Sequence, residues 1–154
     1  MNEIEFKVGG AELLDIIAPL WVKLNTHHAD ISPCFSDHFR SNLFGRRKLK
    51  LIEKSTTGKL RIEMAVAKEN DILIGFSIGS ISMENTGEVD SIFVEKSFRK
   101  QGIADHLMKH ALNWMDRQGV IQKRIVVTTG NESVFPFYER YGFFPRISTL
   151  IYKN

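Results

Sequence analysis

The chain contains little that would tie it to an oxidising compartment or to a membrane. Its 154 residues include one cysteine, Cys34, so no internal disulfide can form, and a lone thiol suits the cytoplasm. No apolar run approaches the ~20 residues that a membrane span needs. The first ten residues carry acidic side chains and nothing like the apolar core of a signal peptide. We therefore expect a cytoplasmic protein with no membrane partner.

Proline, repeats and strong charge are also scarce. With four prolines, no low-complexity tract and no linker, residues 1–154 are expected to form one compact domain. The net charge is only +3, and the basic residues cluster at 46–48 and 99–100 instead of forming a long stripe. An excess of this size is typical of a solvated surface, so nucleic acid is not expected as a partner.

The spacing of apolar residues predicts alternating strands and helices. Glu88–Val94 has no clean polar face, which predicts a central strand buried on both sides. Pro19 should kink or split the first helix. The order of elements predicts an α/β fold, a mixed sheet flanked by helices. Strands are expected at 4–8, 60–68, 72–83, 88–94, 124–129 and 143–152, and helices at 11–24, from about 36, from 103 to before Gly119, and at 132–140.

The turn after the strand Glu88–Val94 carries the most chemical information. Arg99, Gly102 and Ala104 form an R-x-x-G-x-A pattern between this strand and the next helix. Backbone N–H groups exposed in such a turn, and the positive end of the helix, both favour an anion. The pattern therefore predicts a phosphate cradle, and the alternative is a turn that only caps the helix of a βαβ unit.

Together with a second motif, this turn resembles the GNAT superfamily of N-acetyltransferases. The second motif is an asparagine at the exit of the following strand and then Phe-Tyr-x-x-x-Gly-Phe. The resemblance covers residues 87–144, with Lys96 where members often carry proline and Ala104 where they often carry glycine. The matching residues are Arg99, Gly102 and Ala104, preceded by Ile92, Phe93 and Val94, and then Asn131, Phe137, Tyr138, Gly142 and Phe143.

The resemblance implies direct transfer of the acetyl group of acetyl-CoA to an amine, within a ternary complex and without a metal. Glu88 stands where members often carry the general base, and Asp90 is the alternative, on the same face unless a bulge separates the two. Tyr138 is the implied acid for the departing sulfur. The implied cofactor-binding residues are Ile92, Phe93, Val94, Arg99, Lys100, Gln101, Gly102, Ile103, Ala104, Asn131, Phe137 and Tyr138.

Two other functions remain open from the sequence. One is a catalytically inactive CoA-binding regulatory module. The other is a nucleotide-binding βαβ protein, although the chain has neither Gly-x-x-x-x-Gly-Lys-Ser/Thr nor Gly-x-Gly-x-x-Gly. The histidines and acids between His27 and His38 have no zinc-type spacing, so we expect them to line a loop over the acceptor cleft or to be solvated.

The identity of the acceptor is open: a small amine, an amino acid, an antibiotic, or a protein lysine or N-terminus would suit the chemistry. We expect it to approach from the side of the first two helices. A homodimer could form if Ser148–Tyr152 pairs across chains. Acidic residues that could attract a cationic acceptor are Asp30, Asp37, Glu84, Glu88 and Asp90.

Overall fold

The framework of the protein is a five-stranded mixed sheet. The computed structural model describes residues 3–154. Neighbouring strands follow the order of the chain, and the first four are antiparallel, whereas the fifth runs parallel to the fourth. The strands are Ile4–Gly9 (β1), Lys59–Ala67 (β2), Ile72–Ile81 (β3), Thr86–Val94 (β4) and Gln122–Ile125 (β5).

Helices cover both faces of this sheet. The α-helices are Leu14–Ile31 (α1), Ser36–Ser41 (α2), Phe44–Thr57 (α3), Ile103–Arg117 (α4) and Phe135–Glu139 (α5), with short 3-10 turns at Ala11–Leu13, Lys96–Phe98 and Glu132–Val134.

The core lies in two layers because β2 alternates its side chains between the two faces. Ile62 and Met64 pack with α1 and α3, whereas Ala65 packs with α4. The expectation of one α/β domain with a mixed sheet is confirmed. In the described residues, 3–154, no helix is long and apolar enough to cross a membrane.

The first helix is longer than predicted and is not split at Pro19. It continues to Ile31, so His27 and His28 are helical and do not lie in a loop. Proline removes a single backbone donor, and the rest of the helix is held by the buried residues Ile17 and Trp21. Tertiary packing therefore outweighs the local cost of proline.

The helix expected from about Ser36 is two helices, α2 and α3, separated at Asn42 and Leu43. The Asn25 side chain donates hydrogen bonds to the carbonyls of Phe39, at 2.7 Å, and Asn42, at 3.3 Å. These bonds satisfy acceptors at the C-terminal end of α2, where the helix leaves its carbonyls without partners. A side chain distant in sequence therefore stabilises this break.

The prediction is wrong for the C-terminal part of the sheet. The strand predicted at Arg124–Thr129 is β5, which ends at Ile125, and no strand forms at Phe143–Tyr152. The final segment leaves several apolar residues exposed and forms no ladder with the described sheet, and its pairing across chains remains a prediction. The exposed residues are Phe144, Ile147, Leu150, Ile151 and Tyr152.

Candidate active site

A cavity of about 300 Å³ lies where β4 and β5 separate. The two strands pair only as far as Val89 and Ile125, while β4 continues to Val94. The cavity is closed on one side by α1 and on another by α5. Its lining residues are Leu24, His27, His28, Val89, Asp90, Ser91, Ile92, Phe93, Val94, Arg99, Ala104, Ile125, Val126, Val127, Thr128, Asn131, Val134, Phe137 and Tyr138.

This separation leaves one edge of β4 without a strand partner. β4 is an interior strand of the sheet, as predicted, but its burial alternates because the main chain of Asp90 and the residues Ile92 and Phe93 are partly exposed beside the cavity. Main-chain groups between Ser91 and Val94 that point away from β3 have no ladder to join. An extended ligand with amide groups can add to such an edge as an extra strand.

Most of the residues implied by the resemblance meet at this cavity. Asp90, Ile92, Phe93, Val94, Arg99, Ala104, Asn131, Phe137 and Tyr138 line it. Glu88, Lys100, Gln101, Gly102 and Ile103 do not, and the side chain of Ile103 is buried in the core under α4.

A β-bulge occurs at Asp90 and does not separate the two candidate bases. Ser91 lies opposite Ile78 and Val89 lies opposite Gly79, so Asp90 is the extra residue of β4. The bulge was expected to separate Glu88 from Asp90. Instead both carboxylates contact the ammonium of Lys54 on α3, the Glu88 contact measuring 3.6 Å.

The two carboxylates differ in environment. The Asp90 side chain has no exposed surface, and it accepts a hydrogen bond from the Ser80 hydroxyl at 2.6 Å. Burial raises the pKa of Asp90 despite the opposing charge of Lys54. Burial also acts to raise the pKa of Glu88, but the hydrogen bond from Arg124, at 2.8 Å, and the charge of Lys54 outweigh it and lower this pKa. The pair therefore combines a carboxylate of high proton affinity with one that is partly exposed.

Tyr138 reaches the cavity from α5. Burial raises the pKa of Tyr138 to about 12, so its phenol stays protonated at neutral pH. The next turn is anchored by Tyr141, whose hydroxyl donates to the carboxylate of Asp105 on α4. The ring of Phe137 packs against both tyrosines. These contacts hold the phenol of Tyr138 beside β4 and the start of α4.

The turn before α4 has the geometry of an anion site. Lys100 and Gly102 adopt the left-handed conformation, with φ of 63° and 82°. No side chain caps α4, so its first N–H groups remain available. A Cβ built on Gly102 would meet no atom within 4 Å, and that open space would admit a phosphate group. The residues present therefore fit the pyrophosphate of CoA, held by main-chain N–H groups of the turn.

The side of the cavity formed by α1 carries two histidines, His27 and His28. Burial, aided by the charge of His27, lowers the pKa of His28 to about 4, so its imidazole is neutral at pH 7. Of the acidic residues expected to attract a cation, Asp90 alone lines the cavity, and Asp30 pairs instead with Arg40 at 3.0 Å. Cys34 is exposed and lies outside the cavity lining.

Two residues of this site had no signal in the sequence. Lys54 lies on the amphipathic helix α3, and nothing local distinguishes it from the other lysines there. Ser80 lies opposite Glu88 in the β3–β4 register, which only the pairing of the strands reveals. The main-chain carbonyl of Asp90 also accepts a hydrogen bond from Arg47, at 3.3 Å, so α3 holds the bulge at two points.

A family model described as the acetyltransferase (GNAT) family matches residues 25–143, most of the chain. The chain belongs to this family. It is accordingly an acetyltransferase, and the resemblance of its two motifs is confirmed at the level of the family. A search among curated proteins found no significant match.

Solved structures share the fold at low sequence identity. The PaiA N-acetyltransferase from Thermoplasma acidophilum, in complex with coenzyme A, has a TM-score of 0.74 at 20% identity over 96% of this chain and 93% of that one. The aminoglycoside N-acetyltransferase AAC(6')-Iy, in complex with CoA, has a TM-score of 0.67 at 17% identity, over 100% of this chain and 96% of that one. A ribosomal-protein-alanine N-acetyltransferase from Brucella melitensis has a TM-score of 0.66 at 15% identity, over 99% of each chain.

The charge of Lys54 should control the ionisation of both carboxylates of the acetyltransferase. In Lys54→Met we expect the pKa of Glu88 and that of Asp90 to rise, because the cation that favours both ionised forms is gone. Carboxyl carbon shifts followed by NMR titration would measure both values. Lys50→Met, an exposed lysine on the same helix, is the matched control. Equal pKa values in the wild type and Lys54→Met would contradict this electrostatic model.

Proposed function

We propose that the acetyltransferase moves the acetyl group of acetyl-CoA to an amine by direct attack within a ternary complex. The observation that carries this proposal is the continuity of the site. The unpaired edge of β4 leads from the uncapped start of α4 to Tyr138 and Asp90, which line one cavity. A binding surface for an extended thioester thus ends beside an acid and a base.

The chain offers a distinct group to each part of CoA. Main-chain N–H groups from Lys100 to Ala104 hold the pyrophosphate, with Lys100 and Gly102 in the left-handed conformation that points successive N–H groups at an anion. The edge of Ile92–Val94 hydrogen-bonds the pantetheine amides. Arg99 donates a hydrogen bond to the Val94 carbonyl, at 2.9 Å, and so fixes the turn to the strand. Asn131 and Phe137 complete the wall, and the bound thioester supplies the activated acetyl group.

Glu88 and Asp90 act as one base in this proposal. The pair receives the proton of the acceptor ammonium through water, and the burial that raises the pKa of Asp90 favours protonation of the pair against the opposing effect of Arg124 and Lys54 on Glu88. The neutral amine then attacks the thioester carbon, where a β4 N–H stabilises the oxyanion. The C–S bond breaks as Tyr138 donates its proton to the departing sulfur, so CoA leaves as a thiol, and the proton lost by the attacking nitrogen returns to the Tyr138 phenolate. No acyl-enzyme is needed, which leaves Cys34 without a role.

The decisive experiment for this function is thiol release from acetyl-CoA in the presence of a panel of amines. The carboxylates Glu88 and Asp90 are balanced by Lys54 and Arg124, so the wall is not strongly acidic. We therefore expect turnover with a singly charged amine or peptide N-terminus to exceed that with polycationic aminoglycosides. Tight CoA binding without release for any amine would indicate the inactive binding module instead.

Replacing Tyr138 by Phe should slow the chemical step selectively. We expect kcat to fall about 100-fold, because the leaving sulfur loses its proton donor, while the Kd for acetyl-CoA stays within about twofold. Steady-state kinetics and calorimetry would measure the two quantities. Tyr152→Phe, on the exposed C-terminal segment, is the control and should keep full activity. Undiminished turnover in Tyr138→Phe would remove this tyrosine from the mechanism.

Gly102 and Gly119 form a matched pair for testing the phosphate cradle. They lie at opposite ends of α4, with φ of 82° and 71°, and a Cβ on either would meet no atom within 4 Å. Alanine at either position should lower the free energy of unfolding by about 1–2 kcal/mol through the left-handed backbone. Only Gly102→Ala should also raise the Kd for acetyl-CoA, by about tenfold or more, because its Cβ would enter the phosphate space.

Calorimetry and thermal denaturation of both variants would separate binding from stability. Equal CoA affinity in Gly102→Ala and Gly119→Ala would place the pyrophosphate elsewhere.

A further inference from the structure

A second group of ionisable side chains lies between β2 and α4, outside the cavity. Glu63 projects from β2 toward α4, and its side chain is only 1% exposed. His106 and His110 lie one helical turn apart on α4 and meet it there. None of the three lines the cavity described above. The proposed acetyl transfer assigns them no role.

The three potential donor atoms converge on one point. Glu63 Oε2 lies 3.4 Å from His106 Nε2 and 3.2 Å from His110 Nδ1, and all three atoms lie within 4.8 Å of one another. Donors bound to zinc at ~2.0–2.1 Å with tetrahedral geometry stand about 3.3 Å apart. Both measured separations from Glu63 therefore match those of zinc ligands.

One hydrogen bond, between His110 Nδ1 and Glu63 Oε2 at 3.2 Å, lies within the group and leaves one of its three potential donor atoms without a partner. His106 Nε2 is buried and has no hydrogen-bond partner among the described residues. Arg61 contacts the other oxygen of Glu63, Oε1, at 3.2 Å, and so leaves Oε2 directed at the imidazoles. Phe6 stacks on the His106 ring with centroids 3.5 Å apart and fixes its orientation. A buried nitrogen held in place beside a buried carboxylate is costly unless something binds it.

We propose that Glu63, His106 and His110 bind a divalent transition metal ion, with zinc as the best-fitting class. Two imidazoles and one carboxylate are donors that zinc prefers over the all-oxygen sets of magnesium and calcium. The side chain of His110 is 46% exposed, so water can reach the ion and take the fourth position. The Arg61 guanidinium on Oε1 orients the carboxylate as an outer partner of the ligand.

The ion would cross-link the sheet to the helix that begins at the phosphate turn. The main-chain N–H of His106 donates to the Gly102 carbonyl at 3.0 Å, so one ligand lies in the first turn of α4. Binding fixes this turn relative to β2 and stabilises the folded state by mass action. The site lies outside the acetyl-transfer cavity, and its proposed effect is on the stability of the fold.

The test uses the full chain, purified without a polyhistidine tag and stripped with a chelator. Calorimetric titration with Zn²⁺ should give one ion per chain. The Tm should rise by roughly 5–10 °C when Zn²⁺ is at about one hundred times its Kd. Absence of Zn²⁺ binding to the wild type overturns the proposal, whatever the enzymatic activity.

His110→Gln is the discriminating variant, because its side chain is half exposed and its loss leaves the core intact. We expect the Kd for Zn²⁺ to rise on the order of 100-fold or more, and the zinc-dependent rise in Tm to disappear. Glu63→Gln should behave in the same way. His38→Gln, on α2 and outside the group, is the control and should bind zinc like the wild type. Unchanged affinity in His110→Gln, or an equal loss in His38→Gln, overturns the proposal.

Discussion

The separation of β4 from β5 is the constraint on which the rest of the site depends. A parallel pair that continued past Val89 and Ile125 would satisfy the main-chain groups of β4 and leave no cavity. The pairing stops there, and the following segment leads to Gly130, which approaches the end of α1 so closely that a Cβ would lie 2.2 Å from the Ile31 carbonyl oxygen. This close approach brings the segment against the end of α1, a helix that also lines the cavity. The unpaired edge of β4 is therefore part of the fold itself.

The bulge at Asp90 depends on α3 in the same way. A bulged residue loses ladder bonds, and here Arg47 donates a hydrogen bond to the Asp90 main-chain carbonyl while Lys54 pairs with the Asp90 carboxylate. Removing Lys54 would leave the Asp90 carboxylate without a cationic partner, although that side chain has no exposed surface. The carboxylates of Glu88 and Asp90 and the cations of Lys54 and Arg124 thus form one network of ion pairs. The proton affinity of the candidate base is a property of that network and of no single residue.

Periodicity and motif spacing predict the parts of the fold that local sequence controls. β1 to β4 and α4 lie within about two residues of their predicted bounds, since each carries a full apolar face. The motif residues Arg99, Asn131 and Tyr138 meet at the cavity as the resemblance implies. Contacts distant in sequence decide the rest.

The predictions that failed did so because contacts between residues distant in sequence decide these parts of the structure. The Asn25 side chain, distant in sequence, bonds the carbonyls at the break after Ser41, and β5 ends where its pairing with β4 ends, at Ile125. Lys54 joins the site only because α3 packs across β2 and β3. Glu63 also had no signal in the sequence, since an acidic residue in an alternating strand normally faces solvent. It is buried here because α4 packs over this face of β2.

Helix α4 is the element that connects these features. Its start presents free N–H groups to the cradle, Asp105 on its first turn anchors Tyr141 and thereby α5, and His106 faces Glu63 on β2. A rotation of this helix by one residue would move all three contacts together, because they project from consecutive positions 102–106. The rotation of α4 about its axis therefore sets the positions of the acetyl donor, of the acid and of the proposed metal ligands together. An ion bound between β2 and α4 would fix this rotation directly, at a point remote from the acetyl-transfer chemistry.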